Sequence, residues 1–433
     1  MVVITRNGPT SYYENSDGNY AGLEHDLVEM FAKEVGLKFR FIVAKQFDEI
    51  IPTLQRNQAH FAAAGLTITP AREKLVHFST PYQIVQEQVV YNRDYPKPGN
   101  MKNLIGKNIE VVAGSSYVER LKEAKKLYPA LTWKEVPALE SEELLEKVAE
   151  NKVEIVIADS NIVDVAQNFN PGIAVAFNFG KPESLAWAFP KNNDPYLFQK
   201  SQAFFARIQK DGTLKRLLDR YYGHVNRLVN ADIAGILSTM NSTLPRFRPL
   251  FQQGQEATGI DWRLIAALGY QESHWDPLAT SPTGVRGLMM LTGDTADRLG
   301  VEDRLDPKQS IDAGAEYFLD MKEMIPQRIP EPDRTWLALA AYNTGYGHLE
   351  DARILAQRMK LNPDSWSDLK KTLPLLGKAE YHSTVKHGYA RGGEPVIFVE
   401  NIRTYYDILA KFQKPYKPAM PMFESIPKLA QSR

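Results

Sequence analysis

Glu272 is the side chain whose type and surroundings best suit chemistry. It closes an apolar run, Ala267-Leu268-Gly269-Tyr270-Gln271-Glu272-Ser273, and a loop rich in Ser, Pro and Gly follows. Ile265, Leu268 and Glu272 lie three, four and seven residues apart, so a helix places them on one face. Asp261, just before Trp262, is the expected N-cap. A carboxyl on an apolar face is either paired or kept protonated by desolvation. A carboxyl still protonated near neutral pH can serve as a general acid. Spacing alone also fits a buried, salt-bridged glutamate, since structural ion pairs perturb pKa values too. His274 reads as a helix-end residue rather than a catalytic one.

The elements that must position this acid are helical. From about 255 to 412 the pattern is that of a mainly α domain. A short helix runs from Asp294 to Leu299 and stops at Gly300. Ser310 is expected to cap the helix that follows it, and Asp333 to cap the run ending Ala341-Tyr342-Asn343. On that run Trp336, Ala340 and Asn343 share a face. Asn343 ahead of Gly345 suits either a groove wall or a C-cap turn.

Residues 1 to about 223 alternate strand-like and helix-like runs, which implies α/β architecture with a mostly parallel sheet. Ligands of such sheets bind beyond the carboxyl ends of the strands. Two lobes are expected: lobe 1 at about 1–93 and 181–223, lobe 2 at about 96–178. Crossings near Tyr91–Pro98 and Phe177–Pro182 would let them close on a ligand. The last helix of this part is expected to break near Gly212. Residues 224–254 lack flexible-linker composition and read as a packed helical connector. The mainly helical part then spans 255–412, and a Pro-rich tail, 413–433, is expected to be irregular.

Composition narrows the function. Lys+Arg and Asp+Glu balance at 52 each in 433 residues, so no global field points to nucleic acid. Cysteine is absent, which excludes disulfides, thiol nucleophiles and Cys metal sites. No metal-ligand spacing or P-loop occurs, and we expect no cofactor. No apolar run reaches the roughly 18 residues of a membrane span. Met1 runs straight into an apolar strand, and we read the chain as starting after a removed export signal.

Glu272-Ser273, Pro277, Ala279, Ser281, Gly284, Gly287-Leu288-Met289 and Thr295-Ala296 resemble the first motif of the lytic transglycosylases related to goose-type lysozyme. Ala341-Tyr342-Asn343-x-Gly345 resembles a second motif, and Tyr405 in Val399–Leu409 a third. Met290 stands where most relatives carry Gln, as in a membrane-bound subgroup. The resemblance implies a lysozyme-like domain acting on peptidoglycan. Glu272 would protonate the β-1,4 oxygen between N-acetylmuramic acid and N-acetylglucosamine. It would then deprotonate the C6 hydroxyl, which closes on C1 to give a 1,6-anhydro product. Ser281, Met289, Met290, Tyr342, Asn343 and Tyr405 would line or order the groove. It also implies peripheral association with the periplasmic face of the outer membrane.

The front half carries a second resemblance. Gly22-Leu23-Glu24-x-Asp26-Leu27, with Thr69-x-x-Arg72 and Phe78-Ser79-x-Pro81-Tyr82, is similar to periplasmic solute-binding proteins for amino acids. This implies a two-lobed periplasmic-binding-protein-like domain whose cleft takes a small amino acid or wall-derived peptide. Arg72 would hold a carboxylate, a task its planar fork suits. Gly65, Thr67, Ser115 and Ser116 would assist, Asp159 would take an ammonium, and Tyr12 or Tyr13 would cover the side chain. Read singly, each could be a surface pair, a helix cap or a core tyrosine. Two rival functions stand beside this one. A hydrolytic muramidase would need a second carboxylate, for which Asp276 is near in sequence. A ligand sensor would carry an inactive C-terminal domain.

Overall fold

The computed structural model describes residues 1–14, 18–192, 194–225, 228–281 and 284–417. Its front half holds two sheets. In the first, Val2–Thr5 lies parallel to both Arg40–Val43 and Phe61–Thr67, and Glu183–Pro190 returns antiparallel beside Phe61–Thr67. In the second, Ile109–Val112 lies parallel to both Lys134–Val136 and Ile155–Asp159, and Glu87–Asn92 runs antiparallel between Ile155–Asp159 and Ile173–Asn178. Strands such as Ile155-Val-Ile-Ala-Asp159 are buried along their whole length, as parallel strands covered on both faces must be.

The lobe boundary differs from the sequence expectation. Glu87–Asn92 belongs to the second sheet, so the chain crosses at Gln86, between Gln83–Val85 and Glu87, and not near Tyr91–Pro98. The run from Tyr82 to Asn92 is continuously extended and carries no Pro or Gly, so nothing in its composition marks the change of sheet. Arg120 pins the crossings by pairing with both Glu87 and Glu183. As expected, the last front-half helix is broken: Tyr196–Lys210 and Thr213–Tyr222 flank Gly212, whose φ of 78° a side chain would disfavour.

The connecting segment forms two helices, Asn230–Ser242 and Leu244–Thr258, with Pro245 in the first turn of the second. The acid helix, Trp262–Ser273, packs against Leu244–Thr258 on one side and Gly393–Phe412 on another. Asp261 caps it by accepting from the Arg263 amide, and His274 ends it in the left-handed region at φ 52°. Two expected caps are corrected. The helix assigned to Ser310 begins at Pro307, because Asp306 accepts from the Gln309 amide and Pro307 fits the first turn. Ser310 is therefore an interior residue, and its hydroxyl accepts from the Met289 amide at 3.1 Å. Asp333 opens its helix, but its carboxylate accepts from the Trp366 amide at 2.8 Å and caps nothing in its own helix. Of the Pro-rich tail, 418–433 lies outside the described residues. Gln413, Lys414 and Tyr416 lie on the helical domain, where their carbonyls accept from Arg263, Trp262 and Gln255.

Candidate active site and candidate ligand cleft

Glu272 stands at the end of a helix in which every residue from Trp262 to Tyr270 is buried. Burial pushes its carboxyl up to about 8, and no cation among the described residues offsets this. At neutral pH the carboxyl thus holds its proton, as a general acid must. Tyr342, one helix away, lies close enough for the charges of the two groups to interact, and burial followed by Glu272 pushes its hydroxyl well above the tyrosine range.

Beside the acid helix lies a short strap, Gly287–Leu291, held from several directions. Ser273 donates to the Leu288 carbonyl at 2.7 Å, Tyr342 donates to the Met289 carbonyl at 3.3 Å, and Ser310 accepts from the Met289 amide. Gly287 and Met290 turn the strap at φ 83° and 48°. A β-carbon on Gly287 would meet the Arg304 carbonyl at 1.8 Å, so that position excludes other residues.

Two expected groove residues stand elsewhere. Met289 is 0% exposed and corrects the expectation that it lines the groove. Its side chain is sandwiched between Gly269 and Gly314, where added β-carbons would come within 3.1 and 2.7 Å of it. Tyr405 is 3% exposed and also corrects that expectation, because its ring packs edge-on against Tyr270 behind the acid helix, at 4.8 Å. Met290 is half-buried and Asn343 exposed at the end of its helix. Ser281 closes a turn, accepting from the Val285 amide through its hydroxyl. Asp276, the candidate second carboxylate, is exposed and caps a turn by accepting from Leu278 at 2.9 Å.

In the front half, a cavity of about 10 Å³ lies between the lobes, lined by Arg6, Phe47, Gly65, Thr67, Ser115, Ser116, Tyr117 and Asp159 among others. That is far below the roughly 300 Å³ at which ligand pockets begin, so the lobes are closed on each other. Arg72 is buried and donates to the carbonyls of Thr67 and, across the cleft, Gly114, each at 3.0 Å. Ser116 donates to the Thr67 hydroxyl at 3.4 Å, again between lobes. Ser115 donates back to Val112. Gly65 gives its amide to Glu24, a buried carboxylate that also accepts from Tyr82 and Trp187. Glu24 is thus a structural member of the signature, placed beneath the cleft. Asp159 is 4% exposed, and burial, then the charge of Glu87, pushes it up to about 7.

Neither Tyr12 nor Tyr13 lines this cavity, which corrects the expectation for both. Tyr12 stacks on Tyr20 at 5.0 Å and lies tilted against Phe41 at 4.6 Å, in an aromatic cluster of lobe 1. Tyr13 lies near Asp407 of the helical domain, and burial and that charge push its hydroxyl up to about 12. The rings at the cavity are Phe47 and Tyr117. The sequence reading also missed Arg6, which directly follows the strand Val2–Thr5. The signal was present: ligands gather beyond strand carboxyl ends, and Arg6 is the first charge there.

One helix joins both halves. On Gly393–Phe412, Arg403 donates to the last carbonyls of Thr213–Tyr222, those of Asp219 and Arg220, at 3.0 and 3.1 Å, where a cation is favoured. Asp407 pairs with His224 at 2.6 Å. Lys411 reaches Glu146 of lobe 2 at 3.3 Å and lies over the Phe169 ring at 4.2 Å. The same helix packs on the acid helix and stacks Phe398 parallel to Tyr342 at 6.3 Å.

The fold and the sites define a solute-binding module fused to a transglycosylase module. Residues 1–224 match the model of bacterial extracellular solute-binding proteins, family 3, and residues 249–363 match that of the transglycosylase SLT domain. A protein named membrane-bound lytic murein transglycosylase F from Methylobacillus flagellatus is 53% identical over 98% of this chain and 90% of its own length. The protein of that name from Nitrosospira multiformis is 52% identical over 98% of this chain and 88% of its own length. An ancestral arginine-binding protein bound to arginine is similar to 51% of this chain, over 97% of its own, with 27% identity and a TM-score of 0.47. The chain belongs to the membrane-bound lytic murein transglycosylase F family and is a lytic transglycosylase, a lyase-type enzyme. No helix among the described residues is long and apolar enough to cross a membrane.

Proposed function

We propose that Glu272 is the single acid and base of peptidoglycan cleavage between N-acetylmuramic acid and N-acetylglucosamine. Protonated, it gives its proton to the bridging oxygen as that bond breaks. Ionised, it takes the proton of the C6 hydroxyl, whose oxygen closes on C1, so no water is consumed. The observation that carries this reading is a carboxyl pushed up to about 8 by burial, while Asp276, the carboxylate considered as its hydrolytic partner, is exposed and caps a turn. Ser281, Met290, Tyr342 and Asn343 order the sugar around it, Tyr342 through the strap it also holds. Mass spectrometry of peptidoglycan digested in isotopic water tests the assignment. Anhydromuramoyl products without solvent oxygen are expected from the wild type and none from Glu272→Gln. Solvent oxygen in the product would mean hydrolysis, and equal product from both proteins would remove Glu272 from the mechanism.

The same reading gives the front half, about 1–223, the role of a regulatory clamp for an amino acid or wall peptide, held by Arg72, Thr67, Ser115, Ser116 and Asp159. In support, the helix Gly393–Phe412 touches lobe 1 through Arg403, lobe 2 through Lys411, and the acid helix along its side. Parting the lobes would pull on its two grips unequally. A ligand biases activity only through its different affinity for the two states. Turnover and small-angle scattering that stay unchanged at saturating ligand would refute the coupling. The membrane-bound name of the relatives fits peripheral attachment at the inner face of the outer membrane.

A further inference from the structure

A cavity of about 500 Å³ lies where lobe 1 meets the helical domain. Ligand sites span roughly 300–1,000 Å³, so it has room for one. Lobe 1 lines it with Asp26, Glu29 and Arg220, and the helical domain with Arg328, Trp336 and Asp364, among others. None of Glu272, Ser281, Tyr342 and Asn343 lines it. Trp336 stands near the start of the helix Asp333–Thr344, and Asn343 near its end, about 10 Å further along the axis. The cavity is thus separate from the groove. Its mouth faces solvent, for Glu29 is exposed and so is the side chain of Arg328, at 62%.

Most of the charge facing this cavity is already held in pairs. Arg220 pairs with Asp26 at 3.4 Å, Arg328 with Asp364 at 3.0 Å, and Arg403 with Asp219 at 3.8 Å. An ionic ligand suits one member of each pair and opposes the other, and like charges placed together are penalised. A hydroxyl meets both, because it donates to a carboxylate and accepts from a guanidinium. Trp336 adds apolar ring surface for the C–H face of a polyhydroxy ring. Ser365 lines the cavity as well, and its buried hydroxyl has no hydrogen-bond partner among the described residues. A ligand hydroxyl that reaches it removes the cost of leaving it unpaired. We infer that this cavity is a saccharide site outside the catalytic groove, shared by the two modules, and that it takes neutral N-acetylhexosamine units of the glycan on which the enzyme acts. A strand held there and in the groove at once gains avidity with no added catalytic group.

Photo-crosslinking of the full chain with a diazirine-bearing triacetylchitotriose, read by peptide mass spectrometry, tests this. Label should appear on the segments around Trp336 and Asp364, whatever is found at the groove. Unlabelled triacetylchitotriose should suppress that label at concentrations at least about tenfold lower than the glucosamine trimer or trigalacturonate, a trication and a trianion of similar size. The double variant Arg220→Gln, Arg328→Gln should lose the label about tenfold, while cleavage of a soluble muropeptide stays within about twofold of the wild type. No label on either segment at saturating probe would overturn the inference and leave a water-filled seam between the modules. Charged trimers competing as well as the neutral one would overturn it too. Both of these readings are made on the wild type, so they decide the question even where the double variant fails to fold.

Discussion

The molecule tunes carboxyl groups in two opposite ways. At the end of the acid helix, burial raises Glu272 to about 8 and no cation among the described residues offsets the rise. At the cleft, Asp159 is 4% exposed, more deeply buried than Glu272, and raised to about 7, but it faces Arg6 and Arg72, which pull the other way, and Glu87, which pushes with burial. On the proposed mechanism, isolation keeps a proton available for transfer. On the proposed reading of the cleft, opposed charges hold Asp159 ready for a ligand's ammonium. A buried carboxyl is therefore not by itself a catalytic signal; what surrounds it decides the use.

The largest effect expected from this contrast is on turnover. Glu272→Gln keeps the shape and loses the proton, so cleavage should fall by about 10²–10⁴-fold, the usual weight of general acid catalysis. In the cleft, Asp159→Asn should leave cleavage by the ligand-free protein within about twofold, since that carboxyl takes no part in the bond change, yet weaken ligand binding about tenfold or more. If Asp159→Asn cut basal cleavage as deeply as Glu272→Gln, the division of labour between the two regions would be wrong.

A smaller effect concerns pH. Glu272 is raised on folding, so between its unfolded value of 4.5 and about 8 the folded state binds the extra proton. Stability from this group is full below 4.5 and declines as pH rises through about 8. Glu272→Gln should therefore match the wild type near pH 4 and be more stable near pH 9. The difference is at most a few kcal/mol, at about 1.4 kcal/mol per pH unit before screening. On the wild type, kcat/KM should fall on the alkaline side near pH 8. Thermal melts across that range, run beside initial rates, check both. A flat difference between variant and wild type would show that a partner compensates Glu272 after all.

The two regions were also unequally legible in the sequence. The acid helix was readable to its cap, because Asp261 and the apolar spacing of Ile265, Leu268 and Glu272 are local facts. The break at Gly212 was readable for the same reason. Met289 and Tyr405 were placed in the groove by motif, but their burial depends on glycines 269 and 314 and on Tyr270, which only the tertiary packing brings to them. In the cleft, the passage between sheets at Gln86 left no mark, since one extended run serves both sheets. Arg6 carried a signal in its position after the first strand, while Tyr12 and Tyr13 drew attention by residue type and face other neighbours. Ser310 was misread because a cap and an interior hydroxyl look alike until Asp306 is seen to take the capping role.

The smallest effect expected is at Tyr405, and it separates motif from contact. Its ring is buried against Tyr270, and burial, followed by the charge of Asp232 and the neighbouring Tyr270, drives its hydroxyl well above the tyrosine range. A residue so placed supports the back of the acid helix and does not touch the sugar. Tyr405→Phe keeps the ring contact and should change KM less than about twofold, with stability altered by about 1 kcal/mol or less, the usual net weight of one hydroxyl. Tyr405→Ala removes the ring and should cost about 3–5 kcal/mol, as buried aromatic truncations do. Steady-state kinetics with a soluble muropeptide, alongside denaturant melts, distinguish the cases. A large rise in KM for Tyr405→Phe at unchanged stability would place this hydroxyl in the groove when substrate is bound. The acid helix would then have to move far enough to expose it, and the groove would share with the cleft a closed form that opens for its ligand.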